Sequence, residues 1–251
     1  MSDSDNALIE AKDLSLSFPL YLDNDPNAKS KFIEIFNFNK PKIEKVKSIH
    51  AINKINFKIE AKSCVGIIGH NGAGKSSLIR LISNIYTPTK GNILVKGKVT
   101  TLMDFGIGFN AHLDAIENIK IASLIMGIPK EHIKERTQEI LEFSELKEFS
   151  NLPLKYYSKG MRSRLGFCTA TDIAPEILLL DEVFSGGDIH WVKKSLKRLE
   201  AVIEKAKIVV IISHNLNTIE KYCSRSIWLK KGEVLMDGSS VDIIKEYRGQ
   251  S

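Results

Sequence analysis

Apolar and polar positions alternate along this chain with two different periods, and the switches between them mark out its elements. From Ala7 to Phe18, the residues Leu8, Ile9, Leu14, Leu16 and Phe18 partly alternate with polar neighbours, as in a half-buried strand. Pro19, Pro26, Pro41 and an acidic turn from Asp23 to Asp25 then break the pattern. This predicts an insertion over 19–48, with a short helix around 28–38, before Ile55 to Ile59 resume the sheet in strict alternation. Cys64 to Ile68 predict a buried strand, and 75–85 a helix that ends before Pro88 and Gly91, with short strands following through Met103. Helical spacing runs from 114 to 149, where Pro129 divides two helices and Pro153 closes the block. A helix from about Gly160 to Ala174, a strand from Ile177 to Leu180, a helix around 190–205, a strand from Ile208 to Ile212, and a small terminal strand and helix complete the chain. In the 190–205 helix, Val192, Leu196, Leu199 and Ile203 share one face, which assigns Lys193, Lys194, Lys197 and Arg198 to solvent. Strands alternating with helices predict an α/β fold with a mainly parallel sheet, and the 114–174 block reads as a helical subdomain.

Composition narrows this picture. With 251 residues, 43% apolar and 26% charged, the chain is of ordinary globular type and reads as a single domain over 1–251. A chain of this length buries about 70–75% of its unfolded surface without covalent staples. Its three cysteines, Cys64, Cys168 and Cys223, form no CxxC or Cys/His cluster, which argues against a disulfide framework or a structural zinc site. Uninterrupted apolar runs such as Ile208 to Ile212 are far shorter than the roughly 20 residues needed to span a bilayer. The first ten residues are acidic and lack an apolar core, so no secretory signal is expected and the protein is expected to stay inside the cell. The net charge of +6 is local, because residues 27 to 62 carry nine lysines against three glutamates.

Three constellations carry chemistry. Gly69-His70-Asn71-Gly72-Ala73-Gly74-Lys75-Ser76, followed by Ser77, fits the phosphate-loop pattern between a predicted buried strand and a predicted helix. Its glycines let successive N–H groups converge on phosphate oxygens, Lys75 reaches the β- and γ-phosphates, and Ser76 ligates Mg²⁺. The apolar strand ending in Asp181 and Glu182 places two carboxylates where burial is costly, an arrangement that fits Asp181 holding Mg²⁺ through water and Glu182 acting as general base. His214 follows the Ile208 to Ile212 strand, at the sheet edge where ligands bind; alone it reads as a structural histidine, but with the other two motifs it reads as a γ-phosphate contact.

Tyr157-Ser158-Lys159-Gly160-Met161 opens a helix downstream of the helical block. The order of phosphate loop, helical block, this signature, the strand ending in Asp181-Glu182, and then His214 resembles the nucleotide-binding subunit of ABC transporters over nearly the whole chain. The forms YYSKGMRSRLGF, DEVFSGGD and LMDFGIGFNAHLDAIENI, with the lysine-rich insertion, resemble bacterial exporters of O-antigen, capsule or teichoic acid. The resemblance implies an ABC-type P-loop NTPase fold with an antiparallel β subdomain and an α-helical signature subdomain. It implies ATP and Mg²⁺ as cofactors, and a homodimer in which Tyr157 to Met161 serve the nucleotide of the opposite chain. Phe18 matches the aromatic residue that stacks on adenine, although it also fits a core residue ending a strand. Asp188 matches the aspartate that communicates between the two sites.

The implied function is ATP hydrolysis coupled to export of a lipid-linked surface polysaccharide, with O-antigen as the first reading. It is expected to take place on the cytoplasmic face of the inner membrane beneath two copies of a separate permease. Capsule or teichoic acid export is the alternative, and a soluble ABC ATPase of nucleic-acid repair or translation is the alternative from another class. No nucleic-acid partner is expected, since Phe32, Phe36 and Phe38 fit one side of a short helix better than a stacking platform. The resemblance also leads one to expect no carbohydrate-binding extension after Ser251.

Two positions depart from the family pattern. Lys159 replaces a small residue, and Phe105, beside Asp104, stands where a glutamine contacts the metal and the membrane partner. The lysines of the insertion suit anionic headgroups, acidic parts of a permease, or plain solvation. Phe105, Ile107 and Phe109, in the loop Asp104 to His112, are expected to frame a groove for a permease helix, against the alternative of packing inside the domain.

Overall fold

The structure is a computed structural model and describes residues 7–20, 47–102, 108–172, 175–181 and 188–250. Two sheets organise it. The first is antiparallel, in the order β2-β1-β4, and comprises β1 (Leu8–Leu20), β2 (Lys47–Glu60) and β4 (Lys90–Lys96). The second has the order β5-β6-β7-β3-β8-β9. In it, β5 (Val99–Leu102), β6 (Ile177–Asp181), β7 (Ile208–Ile212), β3 (Ser63–Ile68) and β8 (Arg225–Lys230) run parallel, and β9 (Glu233–Ser239) returns antiparallel as a hairpin partner of β8. Helices α1 (Lys75–Ile82), α2 (Ala115–Ile125), α3 (Lys130–Phe143), α4 (Lys159–Thr171), α5 (Ile189–Lys205), α6 (Leu216–Tyr222) and α7 (Ser240–Gly249) complete the described elements, together with short 3₁₀ turns at Lys147–Phe149 and Leu154–Tyr156.

The central strands β6 and β7 of the large sheet are buried on both faces, which explains why they read as continuous apolar runs, whereas β9 at the edge alternates. Leu178, Leu180, Val209, Ile211 and Trp228 point into a core shared with the helices, including Leu165 of α4 and Leu199 of α5. Ile177, Leu179, Ile208, Val210, Ile212 and Leu229 point the other way, against α1 and the antiparallel sheet. The strand period of two therefore divides each run between two cores.

The predicted fold class is found, with some differences in detail. Helix α1 ends at Ile82 rather than at Ile85, because Asn84 takes a left-handed conformation and Ile85 is exposed. Strand β2 begins at Lys47, earlier than the alternation from Ile55 suggests, and register shifts in its pairing with β1 obscure the period. The rest of the insertion, with the helix expected around 28–38, lies outside the described residues. The chain end holds a hairpin and two helices, α6 and α7, rather than one strand and one helix.

Two of the four basic residues assigned to solvent on α5 are half-buried. Arg198 Nη2 donates to Asp172 Oδ1 at 2.7 Å, and its guanidinium lies 4.3 Å from the Phe143 ring centroid. Lys194 Nζ donates to Glu145 Oε1 at 2.7 Å and lies over the same ring. Their aliphatic stems cover apolar surface while their charged ends find carboxylates, a choice that helix periodicity cannot display.

Candidate functional site

Three neighbouring parallel strands, β6, β7 and β3, end at one edge of the large sheet, with Asp181 opposite Ile212 and Ile67 opposite Ile212 in the ladders. Whatever follows each strand therefore emerges side by side. Asp181 comes from β6, His214 lies two residues past β7, and the loop 69–74 follows β3. Asp181 and His214, with Phe18, Ile49, His50, Ala51, Ile212 and residues 71–77, line a cleft of about 560 Å³, within the range usual for small-molecule sites.

The loop is shaped by its own residues. Gly74 caps α1 with φ 105°, and a Cβ there would stand 2.5 Å from the Ala51 carbonyl oxygen, so no other residue fits without movement. Lys75 is 7% exposed and donates from Nζ to the carbonyls of Gly69, at 2.6 Å, and His70, at 3.0 Å. The ammonium is thus held by the loop's own carbonyls, and the N-terminus of α1 that follows the loop favours an anion nearby. A triphosphate fits this cradle. Lys75 would supply the counter-charge, the Ser76 hydroxyl in the first helical turn and the half-buried Asp181 carboxylate are oxygen donors of the kind Mg²⁺ takes, and the cleft has room for a nucleoside. Glu182 lies outside the described residues, as do Asp104, Phe105 and Ile107.

At the far wall, the Phe18 ring meets Tyr86 edge-on at 5.5 Å while staying 38% exposed, and Tyr86 Oη accepts from Arg80 Nη1 at 3.1 Å. Phe18 is thus at the cleft rim rather than in the core, which leaves it open to a base. Ile49, its Cα partner in the β1–β2 ladder, shares that rim, and no local sequence signal marks it.

The signature residues are elsewhere: none of Tyr157 to Met161 lines the cleft. Ser158 is the N-cap of α4, its Oγ accepting from Met161 N at 3.1 Å, while Ser158, Lys159 and Gly160 are exposed. Tyr157 differs from the expectation. It is 3% exposed and its hydroxyl donates to the Phe149 carbonyl at 2.7 Å, so its side chain anchors the segment from within and is not available to a ligand. Met161 is likewise partly buried against the helical core.

Asp188 caps α5, with Oδ1 accepting from Trp191 N at 2.9 Å and Oδ2 paired with Arg164 of α4. The Trp191 N–H, assisted by Arg164, holds this carboxyl below the usual carboxylate range. Signature helix and Asp188 are thereby tied together. Phe109 packs, partly buried, against the helical core, in line with packing rather than an open groove. The loop after it is latched by Asn118, 1% exposed, whose amide accepts from Asn110 N at 2.7 Å and donates to the carbonyls of Asn110, Leu113 and Asp114.

Sequence reasoning did not identify the support behind the loop. Gly232, in the β8–β9 turn, donates its N–H to the Ala73 carbonyl at 3.0 Å, and its own carbonyl accepts from Asn53 N at 2.8 Å. Only the Lys-Gly pair at 231–232 hinted at a turn, and nothing indicated what it touches. No helix among the described residues is long and apolar enough to cross a membrane.

Residues 52–185 match the family model described as ABC transporter. The O-antigen export system ATP-binding protein RfbB of Myxococcus xanthus is 40% identical over 200 residues, covering 80% of this chain and 46% of that protein. The teichoic acids export ATP-binding protein TagH of Bacillus cereus is 40% identical over 199 residues, covering 79% of this chain and 36% of that protein. The chain thus spans less than half the length of both. Among solved structures, an ATP binding subunit of an ABC transporter superposes with a TM-score of 0.70 at 22% identity, over 96% of this chain and 93% of that one, a likeness of fold. With its phosphate loop, edge carboxylate and signature helix in these places, the chain belongs to the ABC transporter family and has the fold of that family's ATP-binding subunits.

Proposed function

We propose that this chain hydrolyses ATP to drive export of a lipid-linked surface polysaccharide of O-antigen type, as a homodimer on the cytoplasmic face of the inner membrane beneath two copies of a separate permease. The observation that carries the reading is the separation of Ser158 from the cleft that gathers Lys75, Asp181 and His214. A capped, exposed helix N-terminus of this kind lies away from the phosphate loop of its own chain, so a nucleotide held by a second copy is the natural source of an anion for it. Teichoic acid is the second reading, favoured by the equal identity to the Bacillus cereus relative.

Each step uses residues of this chain. The loop N–H groups and Lys75 hold the β- and γ-phosphates, and Phe18 offers its ring to the base. Bound Mg²⁺ would neutralise phosphate charge, held by Ser76 and, through water, by Asp181. Glu182 takes the proton of the attacking water, and His214 donates toward the γ-phosphate. Ser158, still free to donate its hydroxyl proton while its oxygen caps α4, meets the γ-phosphate of the partner chain together with the Gly160 N–H.

The permease face falls on α2, where Ile116, Ile121, Leu124 and Ile125 are all exposed, Ile125 at 76%. The test of hydrolysis is Glu182→Gln. The variant is expected to bind ATP and dimerise while turnover falls about 10²- to 10⁴-fold. Turnover near that of the wild type removes the general-base assignment. Mixing Ser158→Cys with Asn71→Cys protein in the presence of ATP is expected to give an intermolecular cross-link, and its absence removes the shared-site dimer.

A further inference from the structure

We infer that α7 braces the phosphate loop from behind and that Tyr247 is a positioning residue for it, so that nucleotide affinity depends on a side chain outside the cleft. The inference deepens the ATP reading and rests on it. Tyr247 stands near the end of α7, and its ring lies 5.2 Å from that of His70, the second residue of the loop, with the planes inclined by 32°. Its hydroxyl is 3.4 Å from His70 Nδ1, too long for a strong bond, so ring contact is the main part of the interaction. On its other side Tyr247 packs edge-on against Trp228 at 5.1 Å, and Trp228 is 1% exposed in β8. The loop is thus connected to the sheet core by a row of three rings in contact.

What this does follows from His70. Its carbonyl accepts from Lys75 Nζ at 3.0 Å and from Ala73 N at 3.1 Å, so this one peptide group sets the position of both the lysine and the turn. Holding its side chain at the back limits rotation of that peptide, and the Gly232 N–H on the Ala73 carbonyl holds the next part of the loop from the same terminal hairpin. Farther along α7, Arg248 Nη2 donates to Asn217 Oδ1 at 3.2 Å, on α6, the helix that starts just after His214. One helix therefore touches the supports of both nucleotide-facing loops. A loop that keeps its phosphate-ready shape before the nucleotide arrives binds it more tightly, because less ordering remains to be done on binding.

The test measures fluorescent-ATP Kd, KM, kcat and melting temperature for purified wild-type protein, Tyr247→Phe, Tyr247→Ala, His70→Ala and the double alanine variant. Tyr247→Ala is expected to raise Kd and KM about 3- to 10-fold, the size of a typical aromatic pair, with kcat near that of the wild type. Tyr247→Phe keeps the ring and is expected to stay within about 2-fold. The double variant is expected to be no weaker than His70→Ala alone, since both remove one contact. If Tyr247→Ala does not fold, Tyr247→Leu, which keeps bulk against Trp228 without a stacking face, is read in the same way. Unchanged Kd in a wild-type background that binds ATP, or additive effects of the two alanines, overturns the proposal alone. Wild-type protein that binds no ATP overturns the functional reading as well.

Discussion

Two glycines of the phosphate loop should respond very differently to the same added methyl group. At Gly74, with φ 105° and ψ 2°, a Cβ stands 2.5 Å from the Ala51 carbonyl oxygen and 2.9 Å from Ile52 Cδ1. Relieving the contact moves the loop by about 1 Å, because carbon atoms settle near 3.5 Å from their neighbours. Backbone strain of about 1–3 kcal/mol and overpacking of about 1–3 kcal/mol oppose folding, and partial relaxation leaves a loss of about 2–3 kcal/mol. At about 2–4 °C per kcal/mol for a chain of this size, Gly74→Ala is expected to melt about 5–10 °C lower. At Gly72, φ is 77° and no described atom lies within 4 Å, so Gly72→Ala carries only the left-handed penalty of about 1–2 kcal/mol, partly offset in the unfolded chain. Its melting point without nucleotide should fall by only about 3 °C.

Nucleotide sharpens the contrast. A displacement near 1 Å is expected to weaken nucleotide binding on the order of 10²-fold, taking the size of positioning losses known for reaction rates. At a Mg-ATP concentration 100 times the wild-type Kd, ligand stabilises wild type by about 2.7 kcal/mol but Gly74→Ala by only about 0.4 kcal/mol. Thermal melts with and without Mg-ATP measure both quantities. A full nucleotide-induced shift in Gly74→Ala, or equal damage in the two variants without nucleotide, would refute the reasoning from the Ala51 contact.

Three further outcomes follow from other parts of the fold. The Asp172 carboxylate lies between Arg136, Nε at 3.0 Å, and Arg198, Nη2 at 2.7 Å, with Arg136 buried and the other two half-buried. Asp172→Asn leaves two guanidinium groups facing each other and should cost about 3–5 kcal/mol, seen as a melting drop of about 6–20 °C by circular dichroism; a drop under about 2 °C contradicts this. Ile125→Asp should abolish export in cells while purified ATPase activity and melting temperature stay at wild-type values, and normal export removes α2 from the permease face. Burial pushes the Cys168 thiol up to about 12, so between pH 9 and 12 the unfolded chain loses a proton that the native chain keeps. The unfolded state then binds fewer protons, and stability should decline with rising pH by about 1.4 kcal/mol per unit from this group. Denaturant titrations of wild type and Cys168→Ala compare the slopes, and equal slopes above pH 9 count against the assignment.

The motifs of this protein are local in sequence, and local order was enough to point to the family whose model the chain matches. Eight consecutive residues carry the phosphate-loop pattern because a backbone cradle is built from neighbours in sequence, and an apolar run with a terminal carboxylate announces a buried strand that reaches an edge. Periodicity also sufficed for the alternating strands and helices, since each element buries one face or two in a way its own spacing records. Contacts between distant segments left no such record. Neither Tyr247 beneath His70, nor Gly232 beneath Ala73, nor Ile49 beside Phe18 carries a motif, because a stacking ring, a turn amide or a rim side chain can come from any residue that topology delivers. Only the tertiary structure decided that Arg198 leaves solvent for Asp172 and that Tyr157 turns inward to Phe149 while Ser158 faces out, since helix and turn periods state which face a residue takes but not what waits there. The chain order of β3, β6 and β7 is likewise not their spatial order, and it is the parallel neighbourhood β6-β7-β3 that brings Asp181, His214 and Lys75 to one edge.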